Sequence, residues 1–254
     1  MTYVSQNQPV PHAQCNSMLP LGSISVTEVS NKITKVKIKT STEIIDNNLI
    51  NEDYQILFPL IVCFMSQEKA TKLTRVLLHR FGDLSEVVSA SHHQLLEIPL
   101  MTTSCTNMIK SLLKVSLKLQ FFKLSSSPII GNSSMLVSYL QSKIGRDKIE
   151  SIHALFLNSK NYLISDECLA IGGPADVSLT CNSIMRKILK IDATAFIIAH
   201  NHPSGDPTPS QSDITITAEL SEASKILGLN FHDHIIIGRG TYVSMKKMGY
   251  LNDR

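Results

Sequence analysis

The stretch "ATAFIIAHNHPSGDPTPSQSDITITAELSEASKILG", residues 193–228, decides the fold. Its first eight residues form an apolar run of strand length, the pattern of a buried strand. Alternate side chains on a strand share a face, so His200 and His202 point the same way and can reach one ion. Pro203 and Gly205 then turn the chain sharply. Ser210 is a natural N-cap, Asp213 falls three residues later in the first turn, and the helix that follows stops at Gly228. A carboxylate in that first turn lies beside the positive end of the helix and is held ionised. Two neutral imidazoles and one carboxylate suit zinc, with a fourth position left for water. Zinc brings the pKa of such a water to about 7. An H-x-H tripeptide alone is common, and an acid at a helix start is equally ordinary. The specific signal is the combination of strand, H-x-H-P, six residues, S-x-x-D and helix. The letters "HNH" are a coincidence of spelling, because an HNH nuclease spreads its residues over a ββα unit.

Upstream of this stretch, "IHALFLNSKNYLISDE" reads as a hairpin with its turn at residues 158–161. "TCNSIMRKILKI" reads as a helix with Ile184, Met185, Ile188 and Leu189 inward. Downstream, "LNFHDHIIIG" and "TYVSM" are strands. Strands and helices mixed in this way predict an α/β domain over 135–254. A Ser-rich linker, 125–134, separates it from a helical module over 53–124. In that module "SQEKATKLTRVLLHRFG" has Ser66 as cap and Ala70, Leu73, Val76, Leu77 and Phe81 on one face. "DLSEVVSA" and "SHHQLLEIP" are short helices, and "TNMIKSLLKVSLKLQFF" is a longer one. Residues 1–52 are rich in Ser, Thr, Asn and Pro and read as a disordered tail, although "ITKVKIKT" alternates like a strand.

With 254 residues, 43% of them hydrophobic, the chain can bury a sizeable core. A net charge of +3 permits nucleic-acid contact without demanding it. Five cysteines with no C-x-x-C pair indicate a reduced, cytoplasmic protein rather than a disulfide framework. The longest apolar run, "YQILFPLIVCFM", is broken by Pro59 and too short to span a bilayer, so a membrane role is not expected.

H-x-H-P-x6-S-x-x-D resembles the JAMM (MPN+) metallopeptidase motif, and "AFIIAHNHPSGDPTPSQSDITIT" resembles the RadC branch of that family closely. The likeness continues through "ALFLNSKNYLISDE", "LGLNFHDHIIIG" and "YVS". The helical module, with "LLHRFGDLSEVVSAS", resembles the N-terminal helix-hairpin-helix part of RadC proteins. The resemblance implies a cytidine-deaminase-like α/β/α sandwich, the JAB/MPN domain, with zinc held by His200, His202 and Asp213. Ser210 matches a serine that supports the oxyanion, a role the helix cap explains independently. The activity implied is hydrolysis of a peptide or isopeptide bond in a protein substrate. The alternatives are a non-catalytic zinc protein acting in DNA repair or replication, and a metallonuclease.

Two departures from the family pattern stand out. Where RadC relatives carry an Arg-Glu pair whose glutamate is the general base, this chain has Asn182 and Ser183. A hydroxyl cannot replace a carboxylate as base near neutral pH, and losing general-base catalysis costs about 100- to 10,000-fold in rate. Asp166, Glu167, Asp176, Asp206 and Asp233 are the substitutes on offer, each expected to serve mainly at the surface or in support. His234 beside Asp233 is expected to form a pair that either orients a ligand or merely satisfies itself. In the helical module, Leu100 and Thr102 occupy the glycine positions of the G-x-G turn that would meet a DNA phosphate. Lys110, Lys114 and Lys118 form a stripe able to touch a DNA backbone, or simply a solvated face.

Overall fold

The computed structural model describes residues 52–172 and 180–251. The expected tail, except for Glu52, and its "ITKVKIKT" stretch lie outside the described residues, as does Asp176.

The chain enters on α1 (Glu52–Ile61), whose Leu57 and Ile61 are fully buried. Pro59 lies in its last turn, and the helix gives way to a 3-10 turn at Val62–Phe64. Four more helices complete the module: α2 (Gln67–Phe81), α3 (Leu84–Ser89), α4 (His92–Leu96) and α5 (Thr103–Ser125). Asp83 caps α3, Ser91 and Gln94 form a capping box on α4, and Thr102 caps α5 through Cys105 N. Ser66 begins α2 with extended backbone, but its side chain makes no cap bond. The buried face of α2 also differs from the expected one. Thr74 and Leu78 are buried with Ala70, Leu73 and Leu77, while Val76 is 40% exposed. The stripe is centred one position round the wheel, and Thr74 enters the core by donating its hydroxyl to Ala70 O.

Leu100 takes a left-handed conformation, φ 72°. The backbone at Leu100 therefore adopts a conformation that glycine takes without strain, whereas Thr102, the other expected glycine position, is extended.

The second half is a five-stranded sheet with helices on both faces. Its strands are β1 (Ser151–Leu157), β2 (Leu163–Ile171), β3 (Ala195–Asn201), β4 (Asn230–Ile237) and β5 (Tyr242–Ser244), in the order β2-β1-β3-β4-β5. Only the β3–β4 pair is parallel. The β1–β2 hairpin turns at the expected place, with Asn161 at φ 61° and Asn158 Oδ1 accepting from Lys160 N and Tyr162 N. The period of two divides the strands cleanly. Ala154, Phe156, Phe196 and Ile198 pack with α7 (Cys181–Ile191) and α8 (Gln211–Leu227). Leu155, Leu157, Ile197, Ala199, Ile235 and Ile237 pack with α6 (Ser133–Ile144) on the other face. This is the α/β/α sandwich that the sequence led us to expect. Leu124 from α5 and Ile129 are buried in that second core as well. On α7, Ile184, Met185 and Ile188 are buried as read, but Leu189 is 55% exposed because it lies past the edge of the stripe.

Candidate metal centre

β3 is buried along its whole length and delivers His200 and His202 to its α8 face. Asn201, between them, points to the opposite face and is 1% exposed. Its Oδ1 accepts from Ser151 N (2.8 Å) and Ser151 Oγ (3.1 Å). Its Nδ2 donates to Asp147 O (3.2 Å) and Ile149 O (3.1 Å). The strand end that carries both histidines is thereby fastened to the start of β1.

Past His202 the chain reverses in a tight loop. His202 N donates to Ile237 O (2.8 Å), and Arg239 N donates to Gly205 O (3.1 Å), so the loop is laced to the one after β4. Gly238 has room for no side chain. A Cβ there would collide with Gly205 O, the Pro207 ring and Thr241 Oγ1. Ser210 then caps α8 in a reciprocal box with Asp213. Ser210 N (2.8 Å) and Ser210 Oγ (2.6 Å) both donate to Asp213 Oδ2, while Asp213 N donates to Ser210 Oγ (3.2 Å). One carboxylate oxygen, Oδ2, is tied into the cap, and the other, Oδ1, faces His200. The Ser210 hydroxyl proton is committed to that cap.

Three side chains converge as a result. His200 Nε2 lies 3.0 Å from His202 Nε2 and 3.2 Å from Asp213 Oδ1, and His202 Nε2 lies 3.6 Å from Asp213 Oδ2. Ligand atoms about 2.0–2.1 Å from one tetrahedral zinc sit about 3.3 Å apart, so these spacings suit a single ion. One ligand atom from each of the three lies within 4.8 Å of the others. His200 and Asp213 are buried, whereas the His202 side chain keeps 17% of its surface. Burial would push the Asp213 carboxyl up, but any proton that His200 takes up, together with the Ser210 donors, outweighs it and holds the carboxyl well below its usual range. His202 Nδ1 donates to the Asp206 carbonyl (2.8 Å), which leaves its Nε2 lone pair free to ligate.

Among the described residues, the expected substitutes for a base carboxylate are engaged elsewhere. Ser183 is exposed, and its hydroxyl donates to Thr180 O (2.8 Å) at the start of α7. Glu167 pairs with Lys187 (2.7 Å). Asp166 lies on the other side of the sheet, bound by Lys143 (2.6 Å), Tyr139 (2.7 Å) and His153 (3.2 Å). The Asp206 carboxylate accepts from Thr208 N and Oγ1, which lower its pKa. Asp233 accepts from His234 N, Ser244 Oγ and Lys246 N. Among the described residues, no fourth carboxylate or thiolate joins the trio.

Asp233 and His234 were expected to pair, orienting a ligand or satisfying each other; they meet only through the His234 backbone N–H. The His234 imidazole turns inward instead, with Nε2 2.9 Å from His200 Nδ1 and Nδ1 2.7 Å from Thr217 Oγ1. Complete burial pushes His234 far below the usual imidazole range and keeps it neutral. Thr217 was missed because a threonine one turn after Asp213 carries no signal of its own. Lys110 is also committed, donating to Val88 O (2.9 Å) and Ala90 O (2.8 Å), so Lys114 and Lys118 are what remains of the expected stripe.

A five-stranded sandwich with an H-x-H strand end and an acid-capped helix defines a JAB-type domain. Residues 130–250 match the family model described as the RadC-like JAB domain. The chain is 37% identical over 194 residues to a UPF0758 protein of Carboxydothermus hydrogenoformans, covering 76% of this chain and 85% of that one. It is 33% identical over 199 residues to a UPF0758 protein of Ruegeria pomeroyi (78% and 89% covered) and 32% over 199 residues to one of Rhodobacter capsulatus (78% and 93%). The chain belongs to the RadC-like JAB family.

Proposed function

We propose that the chain is a zinc-dependent hydrolase of the metallopeptidase type, working at reduced catalytic power on a peptide or protein substrate. The observation that carries the reading is the meeting of two imidazole nitrogens and one carboxylate oxygen at the spacing of a zinc coordination shell. Two nitrogens and one oxygen are the donor set of catalytic rather than structural zinc. Zinc there would activate a water and polarise a carbonyl. His200 and His202 would hold the ion from the sheet, Asp213 from the helix. Ser210 would orient Asp213 and, by rotating its hydroxyl, support an oxyanion. Ser183 leaves the base role unfilled, so the rate would fall short of a complete site by about 100- to 10,000-fold.

A second reading, a zinc protein without catalysis acting alongside DNA repair or replication, is favoured by the commitment of the Ser183 hydroxyl to Thr180. Lys114 and Lys118 would supply its DNA contact; a metallonuclease is a variant of the same reading. The four described cysteines are free, which supports a cytoplasmic home. No helix among the described residues is long and apolar enough to cross a membrane.

The test is metal analysis of the purified chain together with a peptide-hydrolysis assay on wild type and Ser183→Glu. One zinc per chain and a gain of at least 100-fold in Ser183→Glu are expected. A zinc-loaded Ser183→Glu protein without peptidase activity overturns the hydrolase reading, and a chain that takes up no zinc overturns both. Salt-sensitive retention on DNA, weakened by Lys114→Ala, would transfer support to the second reading.

A further inference from the structure

We infer that Thr217 and His234 are positioning residues that set which nitrogen of His200 carries its hydrogen, and so present the His200 Nε2 lone pair to the metal. This rests on the metal-site reading above.

The protons can be placed one at a time. The Thr217 hydroxyl lies 2.5 Å from Asp213 O, one helical turn back. A carbonyl oxygen can only accept, so the single hydroxyl proton of Thr217 is spent there. Toward His234 Nδ1, 2.7 Å away, Thr217 Oγ1 can then only accept. His234 Nδ1 therefore bears the ring hydrogen and His234 Nε2 is bare. The bare Nε2 sits 2.9 Å from His200 Nδ1, which must donate to it. His200 Nε2 is left with its lone pair directed at His202 and Asp213. Thr217, His200 and His234 are each no more than 1% exposed, so water does not replace any link.

His202 reaches the same state by a separate route, through the Asp206 carbonyl. The 3.0 Å approach of the two Nε2 atoms is thus a meeting of two lone pairs, with the Asp213 carboxylate oxygen 3.2 Å from one of them. Three electron-rich atoms at these distances need a cation among them. The relay also ties the ligands together: the helix turn that offers Asp213 supplies the carbonyl that orients Thr217.

The test uses the full chain, stripped of metal and titrated with zinc against a chromophoric chelator. Cobalt absorption serves as a second measure, and long-range proton–nitrogen NMR of the imidazoles reads the tautomers. Thr217→Val keeps the shape and removes the acceptor for His234. It is expected to weaken zinc by about 10- to 100-fold and to spread His200 over both tautomers. Thr217→Ser restores the hydroxyl and is expected to bind within about threefold of wild type. His234→Asn, which keeps reach to Thr217 but not to His200, should reproduce the Thr217→Val loss with the far-ultraviolet circular dichroism unchanged. Wild-type affinity and a single His200 tautomer in both Thr217→Val and His234→Asn overturn the relay while leaving the metal site standing. A wild-type chain that binds neither zinc nor cobalt overturns the metal reading itself.

Discussion

Replacing Asn201 with aspartate changes one NH2 group into one oxygen, and the structure says what that exchange costs. The two bonds accepted from Ser151 survive. The two donated to Asp147 O and Ile149 O do not, and a carboxylate then faces two carbonyl oxygens. Leaving a buried polar group unsatisfied costs about 1–3 kcal/mol. The site is 1% exposed, but the two carbonyls lie in the loop before β1, where partial rehydration is available, so the lower half of that range applies to each. The sum is about 3 kcal/mol at pH 7. At pH 4 the penalty should shrink, because a protonated carboxyl at that position regains one donor. Asn201→Ala, which also removes the acceptor of Ser151 N and Oγ, should cost at least as much, with no dependence on pH. Equilibrium unfolding in urea, followed by circular dichroism at both pH values, measures this directly. A loss under about 1 kcal/mol for Asn201→Asp at pH 7, or equal losses at the two pH values, refutes the account of Asn201 as a fastener.

Asp166 gives a second pH-dependent expectation. Burial raises its pKa, but bonds and charge from His153, Lys143 and Tyr139 more than reverse this, so the folded value lies below the unfolded value of about 3.9. Its contribution is complete above that unfolded value and is lost as pH falls through the folded one. Asp166→Asn should therefore destabilise by about 3 kcal/mol at pH 7, with the two denaturation curves converging in acid; a constant difference down to pH 2.5 would contradict this. Leu100 is strained at positive φ, a conformation that costs an L-residue about 1–2 kcal/mol. Leu100→Gly should leave the melting temperature unchanged or raised, and Leu100→Val should lower it; the reverse order would show that the turn relaxes.

The sequence made the candidate site legible where its parts are local. His200 and His202 share a face because a strand alternates, and Asp213 meets Ser210 because a capping box spans three residues. The sandwich was legible for the same reason, since periods of two and 3.6 mark strands and helices one by one. What escaped depends on partners distant in the chain. Asn201 is buried because Ser151, 50 residues earlier, is built against it. His234 turns from Asp233 to His200 because β4 lies parallel to β3, which makes His234 the register partner of Ile198, on the same face of the strand as His200. Val76 and Leu189 look like core residues on a helical wheel, and only the packed neighbours decide which flank of a stripe stays wet.

The close approach of Gly238 to Gly205 has a consequence for anyone altering this chain. The loop after the fourth strand acts as a backstop for the loop that aims His202. Any bulk added at position 238 would be transmitted, as through a wedge, to the Asp206 carbonyl and on to an imidazole that position 238 never touches. Residues 202–207 and 237–241 should accordingly be redesigned together or left alone.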